Sequence, residues 1–180
     1  RLGSRDVSRM PGAFGDAFRA VEVLPGVSPM ASGMPHLFVR GATPSASGYY
    51  VDDIEVPFLF HLAVGPSVIN PAIIEDVELH PGAFPAELGR HVGGIVAAST
   101  RAPSKRLRLE ASLRLFDAGA YAEVPIDAID VGAFGAFRYS YLAPLLSLFA
   151  PSTALSYWDY QAGAHHQLSR RDRIAVLAFG

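Results

Sequence analysis

The sequence predicts an α+β domain, with a small mixed sheet and short helices, followed by antiparallel strands that each have one apolar and one polar face. Residues 70–103 have the order helix, strand, glycine-rich turn and strand. After Lys105, apolar and polar residues alternate strictly, which is the period of a β-strand. Hydrophobic residues make up 50% of the 180 residues, yet no run of about 18 apolar residues predicts a membrane-spanning helix.

Composition limits the classes of protein that this chain can represent. The net charge of −2 gives no reason to expect a nucleic-acid partner, and the absence of Cys excludes disulfides and cysteine metal sites. An apolar chain without a spanning helix is either a well-buried α/β domain or a set of membrane-barrel strands. The chain begins at Arg1 and ends at Gly180 inside an apolar run, so we expect it to be a fragment of a longer protein.

The first 60 residues predict one helix and several short strands. Helical spacing of apolar residues predicts a helix within residues 11–24, with Asp16 as a candidate cap. Residues 1–10 are polar and uninformative. A loop is expected over Val27–Pro35 and a strand over residues 37–41. Residues 48–57 predict two strands around a tight turn.

Residues 70–103 are the most informative stretch. Asn70 is a good helix cap, Pro71 suits the first helical position, and a strand then runs to a stop at residues 80–82. Glycines allow the backbone to turn tightly or to lie close to another segment. The last stretch, Gly93–Thr100, is rich in small residues and is predicted to be a strand that is buried on both sides.

Four blocks of this half resemble the plug domain of TonB-dependent outer-membrane receptors. They are residues 20–27, 38–41, 50–56 and 70–103, in the family's order. The residues that match the motif are Pro25, Gly26, Arg40, Gly41, Asp52, Glu78, Gly82, Gly89, Gly93 and Gly94. Asp53 stands where the family usually has Gly, but Asp tolerates the left-handed turn conformation better than most residues, so the hairpin is expected to form.

The second half predicts about five strands separated by turns at residues 117–119, 127–130 and 169–172, and by a longer loop over residues 144–154. Aromatic residues near the strand ends suit an interfacial girdle. Alternation alone fits both a soluble meander and a membrane barrel. The plug resemblance favours antiparallel transmembrane β-barrel strands. Since a plugged barrel has about 22 strands, the barrel in this chain is incomplete. We expect a plug domain at residues 1–103 and barrel strands at residues 104–180.

No motif predicts catalysis, a cofactor or a metal. His61, His80 and His91 lack the spacing of a zinc site, and His165 and His166 face opposite sides of a strand. The carboxylates Asp52, Asp53 and Glu55 could suggest acid–base chemistry, but turn formation explains the first two more simply. We therefore expect a protein that is not an enzyme.

The resemblance implies a receptor in the bacterial outer membrane that takes up a scarce nutrient, such as a ferric siderophore or cobalamin, while the plug gates the barrel lumen. The implied partners are TonB, through an N-terminal box expected before Arg1, outer-membrane lipid and the small-molecule substrate. Loops Val27–Pro35 and Thr43–Ser47 are candidates for a substrate-facing apex. Candidate plug–barrel contacts are Arg40, Arg90, Arg101, Arg106, Arg108 and Glu110.

Two alternatives remain open at this stage. One is a receptor-like outer-membrane barrel that serves signalling, adhesion or export. The other is a soluble α/β binding module with an antiparallel sheet.

Overall fold

The computed structural model describes residues 1–7, 9–13, 15–29, 36–61, 66–102, 104, 106–114, 117–141, 156–169 and 172–180. The chain divides into two compact units, Arg1–Arg101 and Ala102–Gly180. We call them the N-terminal unit and the C-terminal unit and describe each by itself. Among the described residues, no helix has the length and apolar character needed to cross a bilayer.

The N-terminal unit is built on a five-stranded mixed sheet with the order β1-β6-β7-β4-β5. Its strands are β1 (Leu2–Gly3), β4 (Gly48–Val51), β5 (Ile54–Glu55), β6 (Ile74–His80) and β7 (Ile95–Thr100). Strands β4 and β7 are parallel, and the other pairs in this sheet are antiparallel. A separate two-stranded sheet pairs β2 (Val27–Pro29) with β3 (Leu37–Val39).

Two short helices, α1 (Ser4–Val7) and α2 (Ala17–Val21), accompany this sheet. Asp16 caps α2 as predicted, because its Oδ1 accepts hydrogen bonds from the amides of Phe18 at 3.0 Å and Arg19 at 3.4 Å. The helix begins at Ala17 rather than near Pro11, since the backbone at Gly15 has a φ of 76° and is not helical. Phe14, which belonged to the predicted helical spacing, lies outside the described residues.

Two further predictions need correction, and one stretch without a prediction forms structure. In residues 1–10, Leu2 and Gly3 pair with Val77 and Asp76 at the edge of the sheet. The predicted loop at Val27–Pro35 begins as a strand that pairs with β3. Asn70 does cap a helical turn, with its Oδ1 accepting from the Ala72 amide at 2.9 Å, but this turn is a three-residue 3-10 turn. Strands as short as β1 and β2 form because they pair with other strands, and local periodicity does not reveal such pairing.

The predicted hairpin at residues 48–57 is confirmed. Strands β4 and β5 are joined by Asp52 and Asp53, whose φ angles of 46° and 64° are both left-handed. This is the geometry of a two-residue type I′ connection, and Asp is one of the few non-glycine residues that adopt it.

The centre of the N-terminal sheet is β7, which is paired on both sides. The largest fully buried side chains of this unit come from α2, from β3, from the sheet itself and from connecting segments, and they include Phe18, Leu37, Phe60, Ile73 and Ile95. The predicted burial of β7 is therefore confirmed at Ile95 and Val96, which are both 0% exposed.

The C-terminal unit is a five-stranded antiparallel meander in which each strand pairs with the next. Its strands are β8 (Arg108–Leu113), β9 (Asp117–Ile126), β10 (Val131–Ser140), β11 (Trp158–Gln167) and β12 (Arg173–Phe179). The turn predicted at residues 117–119 is wrong, because β9 already begins at Asp117 and pairs with Ser140. The turn at residues 127–130 is confirmed, and Asp130 closes it with a φ of 48°. The loop predicted over residues 144–154 lies outside the described residues.

The two faces of this meander differ sharply in polarity. One face leaves large apolar side chains exposed, among them Leu109, Leu113, Phe137, Tyr139, Trp158, Tyr160, Ile174 and Val176. The other face carries buried polar side chains, among them Asp117, Glu123, Arg138, Ser140, Asp159, Gln161 and His165. The predicted alternation is therefore present in the structure, with the large apolar side chains exposed on one face.

Candidate functional site

A pocket of about 440 Å³ opens at one end of the N-terminal sheet. Because β4 and β7 are parallel, their first residues, Gly48 and Ile95, both lie at this end of the sheet. Asp52 and Thr100 lie at the opposite end. The pocket is lined by His36, Pro44, Ser45, Ser47, Tyr49, Glu55, Val56, Pro57 and His91. The loop Thr43–Ser47, predicted as part of a substrate-facing apex, thus contributes three of the lining residues.

His91 is held in place from three directions. Its Nε2 lies 3.0 Å from the Tyr50 hydroxyl and 3.8 Å from the Glu55 Oε1, and its ring meets the Tyr50 ring edge-on at 5.9 Å between centroids. The ring also covers Gly48, where an added Cβ would lie 2.6 Å from Nε2. A side chain at residue 48 would therefore displace His91 from the pocket.

Two polar atoms of the pocket lining have no protein partner. The Ser47 hydroxyl and the His36 Nδ1 are both buried without a hydrogen bond. Buried polar groups are normally paired, so each such atom calls for an explanation, and a ligand is one of them.

Burial also affects the two tyrosines of β4. Burial raises the pKa of Tyr49, although the Leu37 amide, which donates to its hydroxyl at 3.3 Å, lowers that pKa in part. Burial and then the charge of Glu55 raise the pKa of Tyr50. Both phenols are therefore neutral hydrogen-bonding groups at physiological pH.

The three histidines considered as metal ligands do not converge. His91 lines the pocket, whereas His80 lies at the end of β6 with its Nε2 3.3 Å from Glu78. Among the described residues, no three His, Asp or Glu side chains are arranged to hold a metal ion.

The glycines of the predicted motif allow close packing between segments. The Gly93 amide donates to the Ala46 carbonyl at 2.8 Å, and an added Cβ at Gly93 would lie 2.8 Å from the Ser47 hydroxyl. A Cβ at Gly94 would collide with the side chain of Val39. Gly26 has a φ of 82° and its carbonyl accepts from the Arg40 amide at 2.6 Å. Gly93 and Gly94 thus let the residues before β7 pack closely against β3 and against the residues before β4.

Asp52 has a role beyond the hairpin turn. Its Oδ1 accepts from the Thr100 amide at 2.8 Å, and its Oδ2 accepts from the Thr100 hydroxyl. Arg101, the next residue, donates its amide to the Ile73 carbonyl at 2.8 Å. The last residues of the N-terminal unit are therefore fixed by side-chain and backbone bonds at the point where the chain leaves it.

The remaining motif residues lie in turns and on strand ends. Glu78 pairs with Arg1 at 3.4 Å as well as with His80. Gly41 has a φ of 77°, and an added Cβ at Gly89 would meet the Ala86 carbonyl oxygen at 3.1 Å. Pro25 and Gly82 are in turns, and nothing lies within 4 Å of a Cβ added at Gly82.

The family model of the TonB-dependent receptor plug domain matches residues 6–95, half of the chain. The chain belongs to this family. The resemblance drawn from the four sequence blocks is thereby confirmed. A search of curated protein sequences finds no match.

Solved structures of outer-membrane receptors share the fold of the plug and of the strands that follow it. The siderophore receptor PirA from Pseudomonas aeruginosa aligns with 99% of this chain at a TM-score of 0.63 and 17% identity. The outer-membrane transporter YddB from Escherichia coli aligns with 98% of it at 0.63 and 13% identity. The ferric enterobactin receptor PfeA aligns with 94% at 0.56 and 13%. This chain covers 34%, 32% and 30% of those chains, respectively.

The predicted fold class is confirmed by these alignments: a plug with a small mixed sheet, followed by antiparallel strands that do not close a barrel. The residues that match the plug model lie within the N-terminal unit, and we call the cavity of that unit the plug pocket.

The predicted plug–barrel contact residues are mostly solvent-exposed. Arg40 and Arg90 are exposed and have left-handed φ angles of 51° and 75°. Arg101 is half-buried, and its Nε has no hydrogen-bond partner. In the C-terminal unit Arg106 is exposed, and Arg108 pairs with Glu110. Their role as contacts stays a prediction.

The polar face of the C-terminal unit contains a buried ion pair that the sequence did not single out. Arg138 on β10 donates to the Asp159 Oδ2 on β11 at 2.8 Å from Nε and 2.7 Å from an amino nitrogen, and both side chains are under 5% exposed. Gln161 donates to the other oxygen of Asp159 at 3.1 Å. The alternation placed Arg138 and Asp159 on polar faces, but only the strand register makes them direct neighbours.

Proposed function

We propose that this chain is the plug and the first wall strands of a TonB-dependent outer-membrane transporter for a scarce nutrient. The observation that carries the proposal is the plug match over residues 6–95, followed directly by strands with one apolar and one polar face. An apolar outer face and a polar inner face are what a strand needs between lipid and an aqueous lumen.

In this proposal the plug closes the lumen and the substrate binds at the end of the plug that carries the plug pocket. TonB supplies the energy for rearranging the plug, and lipid surrounds the outward apolar face. The solved relatives named as a siderophore receptor and a ferric enterobactin receptor support a ferric chelate as one candidate substrate. The chain would act as a gate and not as an enzyme.

Three arginines of the plug are proposed contacts with the barrel wall. Arg40, Arg90 and Arg101 would face the polar strand face, and Arg106, Arg108 and Glu110 would contribute from the wall side. Ion pairs suit a separable interface, because water resolvates the charges when the plug moves.

Uptake assays test the proposal. The receptor that contains this chain is expressed in host cells with and without TonB, and accumulation of ferric siderophores, cobalamin and oligosaccharides is measured. We expect accumulation of one class of nutrient that requires both the receptor and TonB and that a protonophore abolishes. A small porin substrate, whose entry is passive, serves as the control. Accumulation that is independent of TonB, or no accumulation at all, would instead favour signalling, adhesion or export.

The gating role has a separate test. Deletion of residues 1–101 from the receptor should leave an open lumen, so the cells should become sensitive to a large antibiotic that porins exclude. Unchanged resistance, with the deleted receptor present in the outer membrane, would contradict a role of the plug as a gate.

A further inference from the structure

Among the described residues that line the plug pocket, fixed charge is of one sign only. Glu55 is the single Asp, Glu, Lys or Arg among its lining residues. Arg40 and Arg90 are not among the lining residues, although the charge of Arg90 acts on Tyr50, the hydrogen-bond partner of His91. The described residues near the pocket, 27–29, 36, 37 and 41–47, contain no Asp, Glu, Lys or Arg. A ligand that enters the pocket therefore meets one carboxylate and otherwise uncharged or imidazole groups.

The pocket also offers unpaired hydrogen-bonding groups. Ser47 is 7% exposed, and its hydroxyl rests over Gly93 without a partner. The Nδ1 of His36 is likewise unpaired. A serine hydroxyl turns by rotation about one bond, so it can meet a group that enters the pocket. Binding that pairs these atoms removes the cost of leaving them unpaired.

A hydroxyl group matches this lining better than an anionic oxygen does. A hydroxyl both donates and accepts, so it pairs with the Ser47 hydroxyl and with either tautomer of His36. A carboxylate or catecholate oxygen only accepts, and it brings negative charge towards Glu55. Tyr49, Pro44 and Pro57 add apolar surface for the carbon skeleton of a ligand.

We propose that the plug pocket selects an uncharged, hydroxyl-rich ligand, of the class of oligosaccharides, over an anionic iron complex. The inference rests on the proposed function and names the substrate class of that same transporter. A volume of about 440 Å³ falls within the usual range of ligand pockets.

Binding to the purified receptor that contains this chain tests the inference. Isothermal titration calorimetry in detergent compares neutral oligosaccharides of about two to six hexoses with ferric citrate and with the ferric complex of 2,3-dihydroxybenzoate. We expect at least one oligosaccharide to bind more tightly than either anionic complex. Ser47→Ala and His36→Phe should each weaken that binding by about tenfold. Ser28→Ala, which removes an exposed hydroxyl outside the pocket, should leave it unchanged.

Tighter binding of an anionic complex, absence of oligosaccharide binding, or unchanged affinity in both pocket variants would overturn the inference. The comparison of ligands in the unmodified receptor decides the question even if a variant fails to fold. TonB-dependent uptake of an anionic complex would preserve the proposed function and overturn this inference. Oligosaccharide binding without TonB-dependent uptake would support this inference and contradict the proposed function.

Discussion

At the scale of single residues, the plug depends on positions where the backbone leaves no room for a side chain. Gly94 lies against Val39, and Gly93 lies against Ala46 and Ser47. Gly82, another glycine of the family motif, has open space around it. Membership in the same motif therefore conceals different physical roles.

Gly94→Ala should destabilise the plug by about 1–3 kcal/mol, because the added methyl group forces Val39 or the backbone to move. Gly82→Ala is the matched control and should change stability by less than about 0.5 kcal/mol. Thermal unfolding followed by circular dichroism measures both. The double variant Gly94→Ala with Val39→Ala should relieve only part of the collision, because the Cβ of residue 39 would still lie 2.8 Å from the added Cβ. Equal losses in the two glycine variants would refute this explanation.

Asp52 supports a second residue-scale prediction. Asp52→Ala leaves the Thr100 amide and hydroxyl without their acceptor, so the free energy of unfolding should fall by about 1–3 kcal/mol. Asp53→Ala also replaces a residue with a left-handed φ but removes no bond to Thr100, so it controls for backbone strain. In a double-mutant cycle with Thr100→Val, additive losses would show that the two side chains are not coupled.

These residues differ in how far the sequence alone predicts their roles. The glycines and Asp52 were predicted from the motif, and turn chemistry explained Asp52 and Asp53 correctly. The bond from Asp52 to Thr100 joins residues 48 positions apart, so no local pattern reveals it. His36 and Ser47 gave no sequence signal as a pair, because a pocket between loops depends on tertiary contacts.

At the scale of elements, strand pairing decides which polar residues become partners. Arg138 lies directly opposite Asp159 in the β10–β11 register. By contrast, Arg108 and Glu110 pair along one strand and are both substantially exposed. Burial makes the first pair far more sensitive to the loss of one partner.

Arg138→Leu should destabilise the receptor by about 3–5 kcal/mol, because Asp159 then remains buried without its counter-ion. Replacing both Arg138 and Asp159 by Leu should recover most of this loss. Arg108→Ala, in the exposed pair, should cost less than about 1 kcal/mol. Urea unfolding in detergent measures all three, and similar costs for the buried and exposed pairs would contradict the argument.

Element existence was easier to predict than element boundaries. Strict alternation identified all five strands of the C-terminal unit, since their period of two is visible locally. The start of β9 was misplaced, because Asp117 resembles a turn residue while its neighbour across the sheet, Ser140, is remote in sequence. Strands β1 and β2, of two and three residues, are too short to show a period.

At the scale of the whole molecule, the proposed function predicts that lipid covers the exposed apolar face of the C-terminal unit. Trp158, the only Trp of the chain, lies on that face, is 59% exposed and stacks on Tyr160 at 6.0 Å between ring centroids. The fluorescence of the Trp158 indole therefore reports whether water or lipid contacts this face of the sheet.

In the 180-residue chain refolded into lipid vesicles, Trp158 emission should shift to shorter wavelength, and brominated lipids should quench it. Aqueous iodide should have little effect, whereas it should quench free tryptophan in the same sample conditions. Phe137→Ser, on the same face and 6.5 Å from Trp158 between ring centroids, should weaken vesicle binding. Strong iodide quenching with no effect of brominated lipid would support the soluble-module alternative.

The position of β7 has a consequence for the order in which the plug comes apart. β7 is the last strand of the plug in sequence, yet it is the middle strand of the sheet, and β1 is an outer strand held by two residue pairs. If the plug unfolds from its amino end, the outer strand β1 therefore separates from the sheet first and the central strand β7 separates last. The segment that tethers the plug to the following strands would be its slowest to exchange amide hydrogens, so a partly opened plug would stay attached by its most durable part.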